Sequence, residues 1–295
     1  MAESNFDLSR RGLMTMLGLT VAAAAAGPNP VLAAAPARPA KLFYTVSGTG
    51  RNVMLLHGWT CDSHDWSWQL AALESRYRVV AVDLRGHGRS EVMPSGSYMP
   101  GDYVRDIEAL IERKFEGEKF ILIGHSMGGQ VAARLAAKRP DLVDAVVSVD
   151  GSLGFADSVG PVFKKAVDGL KTQNPGAVGP ALFESVYDPS TDPALKRWHA
   201  RRLQGMPEHP VRESFGPLFF GSDQVGLGSN SETFCKTITV PFYHLCRDES
   251  QAARMRTWFL NGKSKVDVWK NAGHWIMQDR KDDVNSAIVS WVESL

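Results

Sequence analysis

Polar and apolar positions alternate along most of this chain on two different periods. Short continuous apolar runs, such as Val53–Leu56, Val79–Val82, Phe120–Ile123 and Ala145–Val147, read as strands buried on both faces. Between them lie longer stretches with apolar residues three and four apart, the helical spacing. The pattern predicts strands at 41–47, 52–57, 77–83, 119–124 and 144–149, with helices at 62–75, 101–114 and 127–139 between the later ones. It resumes with strand 239–246, helix 250–261, strand 265–269 and helix 282–294. Such alternation predicts an α/β protein whose mostly parallel sheet carries helices on both faces.

The alternation breaks between Gly151 and Thr237. Helical pieces are expected there near 158–171, 177–187, 193–204 and 209–217, punctuated by Pro and Gly, and no strand fits. The stretch is rich in large apolar residues, including Phe155, Val162, Phe163, Leu182, Phe183, Trp198, Phe215 and Phe219. They exceed what so short an insertion packs internally. Some are expected to line an apolar ligand pocket and others to seat the insertion on the sheet. The core is therefore expected at 41–150 and 238–295, with a helical insertion at 151–237.

The most informative local sequence is Gly124-His125-Ser126-Met127-Gly128, which joins the apolar run Phe120–Ile123 to the helical pattern Val131, Ala132, Leu135, Ala136. It fits G-x-S-x-G, a sharp strand-to-helix turn in which a serine hydroxyl is lifted above the sheet edge. Glycine is expected at 124 and 128 because a side chain would collide across so tight a turn. Ser126 is the candidate nucleophile. A serine nucleophile needs a base and the base an orienting carboxylate. His274, in Asn271-Ala272-Gly273-His274-Trp275 after the last short strand, is the candidate base. His244 sits in an apolar run and reads as a core residue, while His199 and His209 lie in polar, loop-rich sequence and read as solvated. Two carboxylates compete for the third role: Asp150, ending strand 144–149, and Asp248, ending strand 239–246. Asp248 also suits a helix N-cap. Asp150 is preferred.

Elbow, base and chain order together resemble the α/β-hydrolase superfamily from about Lys41 onward. Two more segments carry the resemblance: Asn52-Val53-Met54-Leu55-Leu56-His57-Gly58-Trp59, similar to the strand entering the family's oxyanion loop, and Asp83-Leu84-Arg85-Gly86-His87-Gly88-Arg89-Ser90, similar to its D-x-R-G-x-G-x-S turn. The resemblance implies an eight-stranded sheet, a helical cap at 151–237 and an oxyanion hole formed by the backbone N–H groups of Trp59 and Met127. Many relatives carry the acid in a G-x-x-D stretch, whereas Cys246-Arg247-Asp248-Glu249-Ser250 has no glycine. Some relatives keep it one strand earlier, at the position of Asp150. The Asp83–Ser90 turn and His57 read as supports rather than chemistry.

The implied activity is hydrolysis of a carboxylic ester or lactone of a small, largely hydrophobic, neutral substrate. C–C bond hydrolysis, perhydrolase or haloperoxidase chemistry on the same residues, and a slow-turnover binding role on the same fold, are the alternatives. Serine at the elbow argues against haloalkane dehalogenase and epoxide hydrolase chemistry, which use Asp there in relatives.

Charge and cysteines narrow the classes further. Lys and Arg total 33 against 32 Asp and Glu, a formal net charge of +1 with no basic stripe, so nucleic acid is not an expected partner. No CxxC, HExxH or clustered His/Cys spacing suggests a metal, and no G-x-G-x-x-G suggests a nucleotide cofactor. Oligomeric state is not legible. Ser9-Arg10-Arg11-Gly12-Leu13-Met14, the mildly apolar run to Ala26 and the Ala/Pro-rich stretch that follows resemble a twin-arginine export signal spanning residues 1–35, too short to suit a permanent membrane anchor. Cargo of that route folds in a reducing compartment, so Cys61, Cys235 and Cys246 are expected as free thiols.

Overall fold

The computed structural model describes residues 38–295, and the export-signal segment 1–35 lies outside them. Seven strands form one sheet: β1 (Tyr44–Ser47), β2 (Asn52–Leu56), β3 (Arg78–Val82), β4 (Phe120–His125), β5 (Val143–Val149), β6 (Phe242–Cys246) and β7 (Lys265–Val268). Their order is β1-β3-β2-β4-β5-β6-β7, parallel throughout except for β1, which runs antiparallel to β3 at the edge. The sheet thus has seven strands among the described residues, not the eight implied by the resemblance. Among the described residues, the apolar runs account for these seven and leave no further run to pair outside β1. Central strands β2, β4 and β5 are almost wholly buried, as a sheet covered on both faces requires.

The covering helices are α1 (Ser67–Leu73), α2 (Pro100–Lys114), α3 (Met127–Lys138), α9 (Glu249–Met255), α10 (Ile276–Asp279) and α11 (Lys281–Glu293). The last predicted helix before β7 stops earlier than the expected 261. Its final turn is closed by Thr257, whose hydroxyl donates to Arg254 O at 2.8 Å. Chain order reverses between β2 and β4, because β3 turns back to one side of β2 and β4 lies on the other. Open α/β sheets bind ligands at the strand carboxyl ends near such a reversal.

Between β5 and β6 the chain leaves the sheet for five helices: α4 (Gly160–Thr172), α5 (Pro175–Glu184), α6 (Pro193–Gln204), α7 (Glu208–Ser214) and α8 (Gly228–Cys235). The sequence pattern missed α8, whose polar GSNSETFC carries few apolar positions to reveal a face. Two starts follow one rule. Asn174 before Pro175 and Asp192 before Pro193 each accept a bond from the second helical N–H, at 2.8 and 2.7 Å, while the proline occupies a position that needs no donor. No helix of the described residues is long and apolar enough to cross a membrane.

Candidate active site

Ser126 sits between β4 and α3 with φ 51° and ψ −116°, a conformation rarely adopted by a residue with a side chain. Close packing enforces it. A Cβ on Gly124 would lie 2.3 Å from Gly128 O, and one on Gly128 would lie 2.2 Å from Leu56 O. The first contact is the clash across the turn expected from the sequence; the second is against the neighbouring strand β2. Ser126 N donates to Val149 O at 3.1 Å, and Ser126 O accepts from Gln130 N and Ser152 N at 3.2 and 3.0 Å. Every backbone polar group of the strained residue is therefore used.

Asp150 follows β5 as Ser126 follows β4, again at positive φ (42°), with its N–H on Leu245 O at 2.7 Å. That turn swings its carboxylate beneath His274, whose Nδ1 bonds Asp150 Oδ2 at 2.6 Å. The competing carboxylate does something else. Asp248 is exposed and caps α9, accepting from Gln251 N at 2.7 Å. The imidazole is fixed from its own backbone as well. His274 N donates to Val186 O at 2.8 Å, and His274 O accepts from His125 Nε2 at 3.0 Å. Ser126 and His274 face one cavity, so the structure brings Ser126, Asp150 and His274 together and leaves Asp248 aside.

Arg247 is a site residue that the sequence reading passed over. Its Nε donates to the same Asp150 Oδ2 at 2.7 Å, and the side chain lines the cavity. Burial on its own raises the pKa of Asp150, but the Arg247 charge and the bonds from His274 and Arg247 outweigh it and hold the carboxyl well below its usual range. Its sequence signal is an arginine leaving the carboxyl end of an apolar strand, one position before Asp248.

Met127 is the first residue of α3, so its N–H has no intrahelical acceptor, and Trp59 lines the cavity beside Ser126. Gly58 allows the approach, since a Cβ there would meet His125 Nδ1 at 2.7 Å and Ser126 Cβ at 3.1 Å. The loop is braced from three directions. Thr60 N donates to His87 Nε2 at 3.2 Å, Thr60 O accepts from Arg202 Nε at 2.9 Å, and Trp59 Nε1 donates to Val211 O at 3.1 Å. His57 is a support: Nδ1 bonds Gly58 O at 2.8 Å and Nε2 accepts from Leu84 N at 2.8 Å, leaving no ring nitrogen for a proton transfer. Burial lowers the pKa of His57, and burial with the neighbouring His57 takes His87 down to about 3.

The Asp83–Ser90 turn is likewise structural, with Asp83 accepting from Ser63 N at 2.8 Å and from Arg89 N at 2.9 Å. His244 is a core residue bonded to Ser148 Oγ at 3.1 Å. His199, read as solvated, is instead buried. It stacks on Trp275 at 4.0 Å between ring centroids, with Nε2 on Gln278 Oε1 at 2.9 Å and Tyr187 OH at 3.0 Å from Nδ1. Its helix is polar in sequence, and packing against α10 rather than its own period buries it.

The cavity is small, about 80 Å³. Phe155, Phe163, Leu182, Phe183, Phe215 and Phe219 of the inserted segment form most of its wall, with Trp59 and Trp275 from the sheet side. Val162 and Trp198 of the same segment are instead half exposed, and Trp66 is wholly buried away from it. The three cysteines are free and buried.

A fold with a seven-stranded sheet, a serine elbow and this strand order defines an α/β-hydrolase-type protein. The chain belongs to the alpha/beta hydrolase family, whose model matches residues 53–287. It is 40% identical over 267 residues to a 2-(acetamidomethylene)succinate hydrolase of Mesorhizobium japonicum, covering 84% of this chain and 90% of that one. It is 38% identical over 107 residues to a serine hydrolase-like protein of Danio rerio, a match spanning 36% of this chain and only 32% of that relative. Among solved structures it superimposes on an esterase from Exiguobacterium antarcticum with a TM-score of 0.74 at 20% identity, covering 86% of this chain and 96% of the other, a likeness of fold.

Proposed function

We propose that this protein is a serine hydrolase that cleaves a carboxylic ester or lactone of a small, largely hydrophobic substrate through an acyl-enzyme. The observation that carries the reading is the 2.6 Å bond from His274 Nδ1 to Asp150, which leaves the other ring nitrogen for the cavity that Ser126 also lines. His274 Nε2 takes the Ser126 proton as Oγ attacks the substrate carbonyl. The developing oxyanion is stabilised by the Trp59 and Met127 N–H groups, each contributing roughly 3 kcal/mol. Asp150 fixes the imidazole tautomer and offsets the charge that His274 acquires. His274 then returns the proton to the leaving alkoxide, and water repeats the cycle on the acyl-enzyme. The aromatic wall supports an apolar acyl or alkyl group. The hydrolytic class named for the Mesorhizobium japonicum relative agrees with this reaction type.

The test is turnover of p-nitrophenyl butyrate and a panel of lactones, with fluorophosphonate labelling read by mass spectrometry. Labelling at Ser126 with ester or lactone turnover is expected. Absence of both overturns the reading in favour of a binding role. Export through residues 1–35 is a further part of the proposal, checked by fractionating cells that express the chain with Arg10→Lys and Arg11→Lys together. Equal export of that variant and the parent removes it.

A further inference from the structure

The cavity is apolar except at one end, where Ser126, Ser152, His125, His274 and Arg247 meet. Arg247 is the single formally charged side chain among the described residues lining it. A guanidinium has five N–H donors in a planar fork. Here Nε is held by Asp150 at 2.7 Å and Nη1 makes a long contact of 3.4 Å to Val186 O, while Nη2 has no protein acceptor among the described residues. The side chain is 30% exposed although Asp150 beneath it is 3% exposed, and it lines the cavity. A ligand anion that pairs with the open edge of the guanidinium gains a charge-assisted bond.

We propose that Arg247 is the anchor for a carboxylate carried by the substrate, so that the enzyme acts on esters or lactones of small carboxylic acids that retain one free carboxylate. The inference rests on the serine-hydrolase reading and replaces the neutral substrate expected from the sequence with an anionic one. Geometry sets the spacing. Arg247 Nε and His274 Nδ1 lie on the same oxygen, Asp150 Oδ2, at 2.7 and 2.6 Å, so guanidinium and imidazole are neighbours across one atom. A carboxylate on the free edge of Arg247 therefore sits only a few bonds from a carbonyl placed at Ser126. Charge balance agrees. Arg247 and Asp150 cancel, and a substrate carboxylate then faces the positive charge that His274 gains during attack, an attraction realised in the transition state. Ser152, whose backbone N–H is already on Ser126 O at 3.0 Å, brings a hydroxyl to the same end of the cavity.

The experiment compares monomethyl with dimethyl esters of succinate, glutarate and adipate, pairs that differ in one negative charge, following methanol release. For the unaltered enzyme, kcat/KM is expected to favour at least one monoester over its diester by about tenfold or more, the scale of a charge-assisted bond. In Arg247→Gln that ratio should collapse toward one through a rise in KM of the monoester, and Arg247→Lys should recover part of it. An equal loss on monoester and diester in Arg247→Gln would assign the arginine to holding Asp150 and overturn the proposal. So would a wild-type enzyme that prefers every diester. A wild-type enzyme that cleaves no ester at all, and leaves Ser126 unlabelled by fluorophosphonate, instead overturns the serine-hydrolase reading.

Discussion

Arg202 of α6 grips Asp65, which precedes α1, through two parallel bonds, Nη1 to Oδ1 at 2.6 Å and Nη2 to Oδ2 at 2.9 Å. Both side chains are almost completely buried, and the same guanidinium donates from Nε to Thr60 O, one residue beyond Trp59. The pair therefore joins the inserted helices to the sheet and to the loop that presents the Trp59 N–H. Burial alone raises the Asp65 pKa, but the charge and bonds of Arg202 win and hold it well below the usual range.

Removing one partner leaves a buried charge uncompensated, so Arg202→Met should destabilise the protein by about 3–5 kcal/mol. Replacing both, Asp65→Leu with Arg202→Met, should recover most of that loss, because apolar residues of similar volume often substitute for a buried pair. Activity should not recover with stability, since Thr60 O has lost its donor and the Trp59 loop its brace. Thermal unfolding and ester turnover on the two variants check this, and a stable double variant with full turnover contradicts the bracing role.

Asp150 and Asp248 should separate cleanly. Asp150→Asn keeps the shape but removes the acceptor that fixes the His274 tautomer, and a loss of about 10⁴ in kcat is expected. Asp248→Ala removes an N-cap and should cost about 1 kcal/mol of stability with turnover intact. Comparable losses of turnover in both would reverse the assignment of the acid.

This division also shows what the sequence could and could not disclose. The elbow was legible because apolar β4, Gly124, Ser126 and Gly128 must all be right at once, and each has its own steric reason. Asp150 and Asp248 looked alike because both end parallel strands. What separates them is the backbone direction after the strand: positive φ at Asp150, extended φ of −111° at the Asp248 cap. Arg247 showed in sequence only as an arginine at the end of β6, since the orientation of a side chain past a strand end depends on that turn. His199 and α8 were missed where neighbours, not their own periodicity, decide burial. The seven strands followed from apolar runs, whereas the eighth was carried by family likeness with no run behind it.

The thiols should be inert. Burial pushes the pKa of Cys235 and Cys246 up to about 12 and raises that of Cys61 well above its usual value. The thiolate is the reactive form, so at pH 8 the folded protein should react with an aromatic disulfide reagent only at the rate of unfolding. Turnover should be the same with and without dithiothreitol. Rapid release of one equivalent of reagent chromophore from the native protein would contradict the burial of all three.

Acid should unfold the protein in a defined window. Burial pushes the Asp83 pKa up, but the bonds from Ser63 and Arg89 outweigh it and bring it down to about 2, against about 3.9 for a free aspartate. A depressed folded-state pKa means that the unfolded chain binds the proton more tightly. The stabilisation is then complete above pH of about 4 and is lost as pH falls toward 2. Asp65 and Asp150 are shifted in the same direction, so three protonations act together. Circular dichroism between pH 7 and 2 should show a flat plateau to about pH 4 and a cooperative loss below it. Asp83→Asn, which removes one of these linked groups and lacks its anionic oxygen for Arg89, should be less stable at pH 7 and lose less of its remaining stability between pH 4 and 2. An acid slope for Asp83→Asn as steep as that of the parent would show that the turn's carboxylate is not among the groups that drive acid unfolding.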